Sequence, residues 1–198
     1  DKDQGNSGNK DQRYRITFLK GAAGYDHSFG KHKVSALFVA DLNQIQDQNV
    51  QKGYLRNYTN YSGRMNYNYD DRYLAEAVYT RGGYNWLAPD NRWADYWGVG
   101  ASWNGHNESF VKDLNIFSTL KPRISYAVTG QAICDYAEYR QSYSTSKVHV
   151  YGGPFDNKWT EENKTASRLN PEIAKKLNVG IDLGFLNDRL AFTFDYYQ

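Results

Sequence analysis

Polar and apolar residues alternate one by one over long stretches of this chain, and this alternation limits its fold more than any other feature. In the segment LAFTFDYY, Phe192 and Phe194 fall on one side of an extended backbone, whereas Thr193 and Asp195 fall on the other. A period of two is that of a β-strand whose two faces meet different surroundings. Eight segments show it, and they predict strands near residues 13–28, 32–46, 61–69, 73–80, 92–104, 120–129, 177–184 and 190–197.

The connections between these predicted strands are of two kinds. Tight or ordered connections are predicted near Gly30, Asp71 and Asn187 and across residues 105–118. Longer polar connections alternate with them along the chain, near residues 47–56, 82–91 and 130–171. Outer-membrane β-barrels have short turns at one rim and long loops at the other. The order of connections therefore favours an antiparallel, up-and-down transmembrane β-barrel wall, and the fold class is all-β.

The composition fits a membrane protein of this kind. The 198 residues include 18 Tyr but only 4 Pro and 1 Met, and aromatic residues are favoured in strands. The sequence has no run of about 18 apolar residues that could form a membrane-spanning helix. Trp93 and Trp103 share one side of a predicted strand and lie about 33 Å apart, because a strand rises about 3.3 Å per residue. Tilted by about 40°, that strand would span about 25 Å of membrane, the height of the apolar band in such barrels.

The charged residues do not indicate catalysis, metal binding or a nucleic-acid partner. The 24 basic and 22 acidic residues are scattered along the chain and leave a formal net charge of +2. The histidines lack the spacing of a metal site, and the acidic residues predicted to face the lumen are not spaced as an acid and a base flanking a bond. We therefore expect no enzyme activity, no cofactor and no metal site. The histidines are His27, His32, His106 and His149, and the acidic residues are Glu76, Asp182 and Asp195.

Aromatic residues in two of the long connections are the candidates for ligand contact. Tyr84 and Trp86 lie in the segment RGGYNWLAPDNR, with Arg92 at the mouth of the next strand, and Tyr151 and Trp159 lie in the longest connection. Large aromatic faces beside hydrogen-bond donors suit sugar rings and peptide side chains. The alternative is that these residues anchor a barrel at the membrane interface, where Tyr and Trp are enriched.

Several segments stand in a particular order along the chain. They are YSGRMNYNYDDRYLAEAVYTRGG, NRWADYWGVGASWN followed by ESFVKD, LKPRISYAVTG and LNVGIDLGFLNDRLAFTFDYY. Blocks like these occur in the same order and at similar spacing in the C-terminal half of the SusC-like TonB-dependent transporters of Bacteroidetes, which this chain resembles. The similarity covers most of residues 54–198, with a weaker match in YDHSFGKHKVSALFVA.

The resemblance carries expectations about the whole protein. It implies that residues 1–198 are part of a barrel domain of about 22 strands, without the plug, the N-terminal domain and the closing strands of the family. It implies a multi-pass β-barrel in the cell outer membrane that imports oligosaccharides or peptides. The expected partners are a SusD-like surface lipoprotein that acts as a lid, a TonB complex that acts through the N-terminal parts of the family, and outer-membrane lipid.

Other architectures and functions remain open from the residues alone. A passive outer-membrane porin or adhesin could have a similar wall. A complete eight-stranded barrel is permitted by the strand number, although the long connections are unusual for so small a barrel. A soluble, secreted β-sandwich that binds carbohydrate would need no membrane.

Overall fold

Extended strands make up most of the chain in the computed structural model, which describes residues 14–47, 55–132, 142–148, 156–163 and 169–198. The only α-helix among these residues is the short α1 (Ser109–Lys112), and two 3-10 turns cover Pro89–Asn91 and Gly105–Asn107. None of the described helices has the length and apolar character needed to cross a membrane. The strands are β1 (Tyr14–Phe29), β2 (His32–Asp47), β3 (Leu55–Tyr69), β4 (Tyr73–Tyr84), β5 (Trp93–Trp103), β6 (Phe117–Gln131), β7 (Ser142–Val148), β8 (Asp156–Asn163), β9 (Glu172–Phe185) and β10 (Leu190–Tyr197).

Eight of the strands form one antiparallel sheet in the order β1-β2-β3-β4-β5-β6-β9-β10. These are the eight strands that the alternation predicts. Strands β7 and β8 pair only with each other and lie in the segment that the sequence predicts to be a long polar connection. The sequence predicts this long connection but not the hairpin within it, because SYSTSKV and DNKWTEEN show little apolar alternation.

The strand register separates apolar from polar side chains over most of the sheet, although Phe18 and Leu37 near its first edge lie on the polar face. Residues directly opposite each other in antiparallel strands share a face, so Phe192 shares a face with its partner Leu183, and Thr193 shares the other face with Asp182. Following the pairs from strand to strand gives two continuous faces. The apolar face includes Leu19, Phe38, Met65, Tyr79, Val99, Ile124, Val179 and Phe194, and the polar face includes Ser35, Asn66, Glu76, Ser102, Arg123, Asp182 and Thr193.

Among the residues that the structure describes, no second layer covers the apolar face. Phe192 is 44% exposed and Phe194 is 59% exposed, and the same face carries many other exposed large side chains. A water-soluble sheet buries its apolar face against a helix or another sheet. Among the described residues, the buried hydrophobic side chains are only Trp86, Leu87, Tyr96, Val111 and Ala132. The sheet therefore lacks the packed interior of the soluble β-sandwich alternative.

The connections are sorted between the two ends of the strands, as the sequence predicts. At one end, called here the short-connection rim, the chain turns at residues 30–31, 70–72, 104–116 and 186–189. Gly30 has a φ of +60° in a two-residue turn, as a type II′ turn requires. Asp70 and Asp71 have φ of 53° and 52°, which are values of a type I′ turn. The opposite end, the long-connection rim, joins β2 to β3, β4 to β5 and β6 to β9.

Polar contacts tie the turns of the short-connection rim together. Lys31 Nζ lies 3.0 Å from Asp70 Oδ2 in the neighbouring turn. The Glu108 carboxylate, which is 8% exposed, accepts hydrogen bonds from Arg72 Nη1 at 3.1 Å and from the Tyr73 hydroxyl at 2.9 Å. These bonds hold the connection containing α1 against the end of β4. The prediction of an ordered connection across 105–118 is thus confirmed.

Candidate functional site

A line of charge pairs runs across the polar face of the sheet. Arg123 of β6 lies between two carboxylates, with its Nε 3.4 Å from Asp182 Oδ2 and its Nη2 2.7 Å from Asp195 Oδ1. The Thr193 hydroxyl donates to Asp182 Oδ1 at 3.1 Å. The sequence predicts that both carboxylates face the lumen, and the register places them together on one face, but it does not predict their shared Arg123.

A second pair lies nearer the middle of the same face. Arg64 Nε donates to Glu76 Oε2 at 3.0 Å. Between this pair and Arg123 the polar face forms a groove of about 470 Å³. Small polar side chains line it, together with the charged Glu76, Lys121 and Arg123 and some apolar residues. The small polar residues include Asn66, Asn68, Ser102, Ser125 and Asn178. Such a surface offers hydrogen bonds to a hydrated, polar solute.

At the long-connection rim, a small apolar cluster forms around Trp86 and Leu87. Trp86 is 8% exposed and Leu87 is 1% exposed. They pack with Ala132 and with the half-buried Tyr58, Tyr84 and Leu169; these six residues are called here the rim cluster. Ala132 follows β6 and Leu169 precedes β9. The rim cluster therefore joins the end of the β3–β4 pair to both ends of the long segment that carries β7 and β8.

Hydrogen bonds fix the backbone that presents the rim cluster. The Asn85 side chain donates to the carbonyl of Leu55 at 2.8 Å and accepts from the backbone N–H of Asn57 at 2.8 Å. Arg92 Nε donates to the carbonyl of Leu87 at 3.2 Å. Polar loop backbone needs such partners when it is removed from water. The connection across residues 85–92 is therefore an ordered structure, held at both of its ends.

The structure brings three of the five sequence-predicted site residues together. Tyr84 and Trp86 contact each other edge to face with ring centroids 5.2 Å apart, and Arg92 supports the same connection from beneath. Tyr151 lies outside the described residues. Trp159 belongs to β8, where its Cα pairs with that of Thr145. Ligand contact by these five residues stays a prediction.

Two contacts made by residues of the rim cluster were not expected from the sequence. The Arg56 guanidinium lies 5.5 Å from the centre of the Trp86 ring, a cation–π contact. The Tyr84 hydroxyl lies 3.4 Å from that of Tyr96 on the next strand. Trp86 Nε1 itself is buried and has no hydrogen-bond partner among the described residues. No local motif marks Arg56 or Tyr96, because only the cross-strand register brings them to this rim.

Comparison with known sequences connects this sheet to one kind of protein. No protein-family model matches the chain. TonB-dependent receptor P3 of Formosa agariphila is 26% identical over 200 residues, which cover 87% of this chain and 20% of the receptor. TonB-dependent receptor SusC of Bacteroides thetaiotaomicron is 31% identical over 141 residues, which cover 69% of this chain and 14% of SusC. The chain thus spans a fifth or less of the length of these two relatives.

Solved structures show the same architecture. The RagAB peptide transporter matches with a TM-score of 0.78 and 18% identity over 94% of this chain and 24% of the matched chain. The RagAB peptide importer in its open-open state matches with a TM-score of 0.80 and 18% identity over 94% of this chain and 23% of the matched chain. The sheet therefore has the fold of a barrel wall. Together with the sequence relatives, this fold shows that the chain belongs to the SusC-like TonB-dependent receptors.

Proposed function

We propose that this chain forms part of the wall of an outer-membrane importer that takes up oligosaccharides or peptides. The observation that carries the proposal is the two-faced sheet. Its apolar face is exposed and has no covering layer in the described part of the chain, and its opposite face carries paired charges and small polar groups. An apolar band outside and a polar lumen inside are what a transmembrane barrel needs. The segment 1–198 belongs, in this proposal, to a single larger barrel domain.

The same proposal extends to two partner proteins and to the lack of enzyme activity. Import is driven by a TonB complex, and a SusD-like lipoprotein covers the long-connection rim as a lid. The names of the sequence relatives, all TonB-dependent receptors, support energised import over a passive porin or adhesin. The protein is not an enzyme, which fits carboxylates that are engaged by Arg64 and Arg123. The structural neighbours are a peptide transporter and a peptide importer, which supports peptides as one of the two substrate classes.

Deletion of the gene in its host tests this proposal directly. The deletion strain should lose growth on a defined set of oligosaccharides or peptides as sole nutrient, and a plasmid copy should restore it. Removing TonB should cause the same loss, because energised import needs both. The protein should be found in the outer-membrane fraction. Uptake that persists without TonB would favour a passive porin over energised import. Recovery of the protein in a fraction without membranes would refute the proposal as a whole.

A further inference from the structure

Charged residues on the apolar face are confined to one end of the described strands. Following the register, they are Arg15 of β1, Arg81 of β4, its direct partner Asp95 of β5, and Lys175 of β9. All four are exposed and lie on the half of each strand that ends at the long-connection rim. Charges are costly in the hydrocarbon region of a membrane. Their position indicates that the apolar face leaves the hydrocarbon toward the long-connection rim.

Arg81 sits in an aromatic setting at this level. Its guanidinium lies 5.5 Å from the centre of the Trp93 ring, and Trp93 stacks with Tyr61 at a centroid distance of 6.4 Å. The Trp93 ring lies flat across the neighbouring strand, because a Cβ at Gly83 would come within 2.7 Å of it. The ring and the guanidinium thus lie side by side. Trp93 is 48% exposed, and the Arg81 side chain is 51% exposed.

The acidic neighbour does not fully occupy Arg81. Asp95 Oδ1 is 3.9 Å from Arg81 Nε, beyond hydrogen-bond distance. The same carboxylate oxygen accepts a short hydrogen bond of 2.6 Å from the Tyr79 hydroxyl. Asp95 is therefore engaged by Tyr79, and about half of the Arg81 side chain is exposed. With Arg15 and Lys175 on the same face, three basic residues stand against one acidic residue, and this end of the apolar face carries a net positive charge.

Below Arg81, the apolar face is shaped to take a hydrocarbon chain. Ala75 and Ala101, which are direct cross-strand partners, form the floor of a groove of about 580 Å³ between the larger side chains of Tyr67, Trp103 and Ile124. Ala75 lies on the same face of the same strand as Arg81. For a strand rising about 3.3 Å per residue and tilted by about 40°, the groove is about 15 Å deeper in the membrane than Arg81. The groove thus lies just beyond the midpoint of the apolar band, on the side of Trp103, where the far end of an acyl chain that starts at the level of Arg81 would reach.

We propose that Arg81, with Trp93 and Tyr61 beside it, binds the phosphate headgroup of a lipid in the outer leaflet, whose acyl chain lies in the groove over Ala75 and Ala101. A guanidinium is suited to paired hydrogen bonds with phosphate oxygens, and Trp and Tyr rings are suited to the headgroup level. This inference rests on the proposed function, because it takes the apolar face to contact membrane lipid.

Lipid retention by the full-length receptor tests the proposal. The protein is purified in detergent, titrated with phosphatidylglycerol, and the number of bound lipids is read by native mass spectrometry. Arg81→Gln should weaken the tightest-bound lipid about five-fold, the equivalent of about 1 kcal/mol for one basic residue near a membrane surface. Asp95→Asn should have the opposite effect, because it removes the competing carboxylate. Phosphatidylcholine, with a neutral headgroup, should respond much less to both changes.

Controls separate this site from general charge and from the proposed function. Lys112→Gln removes a basic residue at the short-connection rim and should leave lipid retention unchanged. Inorganic phosphate, added in place of the lipid, should not be retained by the receptor, because the acyl chain contributes to binding. Equal retention by wild type, Arg81→Gln and Asp95→Asn would overturn the lipid site while leaving the barrel intact. A receptor that does not insert into the outer membrane at all would instead overturn the proposed function.

Discussion

At the scale of single residues, the rim cluster shows that an aromatic residue in a loop can be a packing residue. The sequence predicts ligand contact by Trp86 because of its large aromatic face and the donors nearby. In the structure, Trp86 is buried against Leu87 and Tyr84. Asn85, next to it, bonds to two backbone groups of β3. These contacts show that Trp86 helps to hold the long-connection rim together. A direct contact of Trp86 with a ligand or a lid would be an additional role.

The two roles of Trp86 are separated by comparing two substitutions in the full-length receptor. Trp86→Ala should lower the free energy of unfolding by about 3 kcal/mol, because it deletes a buried aromatic side chain. Trp86→Phe keeps most of the apolar contact but removes the indole N–H, so it should cost much less. Substrate or lid binding measured on both variants should follow stability if Trp86 only packs. Weaker binding by Trp86→Phe at unchanged heat stability would show a direct contact instead.

At the scale of elements, the sequence predicts the strands of the wall well because each carries its own signal. The Asp-Asp and Gly-Lys turns were also predictable, since Gly, Asp and Asn favour positive φ. The turn conformation of Leu186 was not predictable, because its φ of 56° belongs to a region that Leu rarely adopts. The hairpin of β7 and β8 was missed for lack of apolar alternation. The Arg123 pairs and the rim cluster depend on register, which no local pattern specifies.

The turn at residues 186–189 should respond to acid. Hydrogen bonds from the Ser118 and Thr119 hydroxyls hold the pKa of Asp188 below that of an ordinary aspartate. A carboxyl with a lowered folded pKa stabilises the folded state above its unfolded pKa, and this contribution is lost as the pH falls through the folded pKa. The Asp188 amide donates to Ser118 Oγ at 3.0 Å. Its protection against hydrogen exchange, measured relative to the intrinsic exchange rate at each pH, should therefore fall below about pH 4.

Asp188→Asn is the matched control for this prediction. The amide keeps an acceptor for the Ser118 hydroxyl but does not titrate, so the protection of this turn relative to the intrinsic exchange rate should no longer depend on pH in the acid range. The turn at Asp71 should keep its own acid response in that variant, because hydrogen bonds from Lys33 and Asn68 lower the pKa of Asp71 independently. An unchanged acid response at the mutated turn would mean that another group controls it.

At the scale of the whole molecule, one physical property connects the fold to the proposed function. The sheet exposes its apolar face and has no second layer among the described residues, so its stability depends on what the face contacts. Lipid outside and water inside satisfy both faces at once. The resemblance in ordered motifs pointed to this arrangement from sequence alone, whereas the substrate could not be predicted, because neither face carries a motif specific for one compound.

The most direct test of this account compares two valines at nearly the same height on opposite faces. Val99 lies on the apolar face midway between Trp93 and Trp103, and Val78 lies on the polar face of the adjacent strand; they are 50% and 37% exposed. In the full-length receptor folded in lipid vesicles, Val99→Arg should lower the free energy of unfolding by about 2 to 4 kcal/mol. Val78→Arg should change it by less than about 1 kcal/mol. Equal costs at the two positions, or a larger cost at Val78, would contradict a wall with lipid on its apolar face.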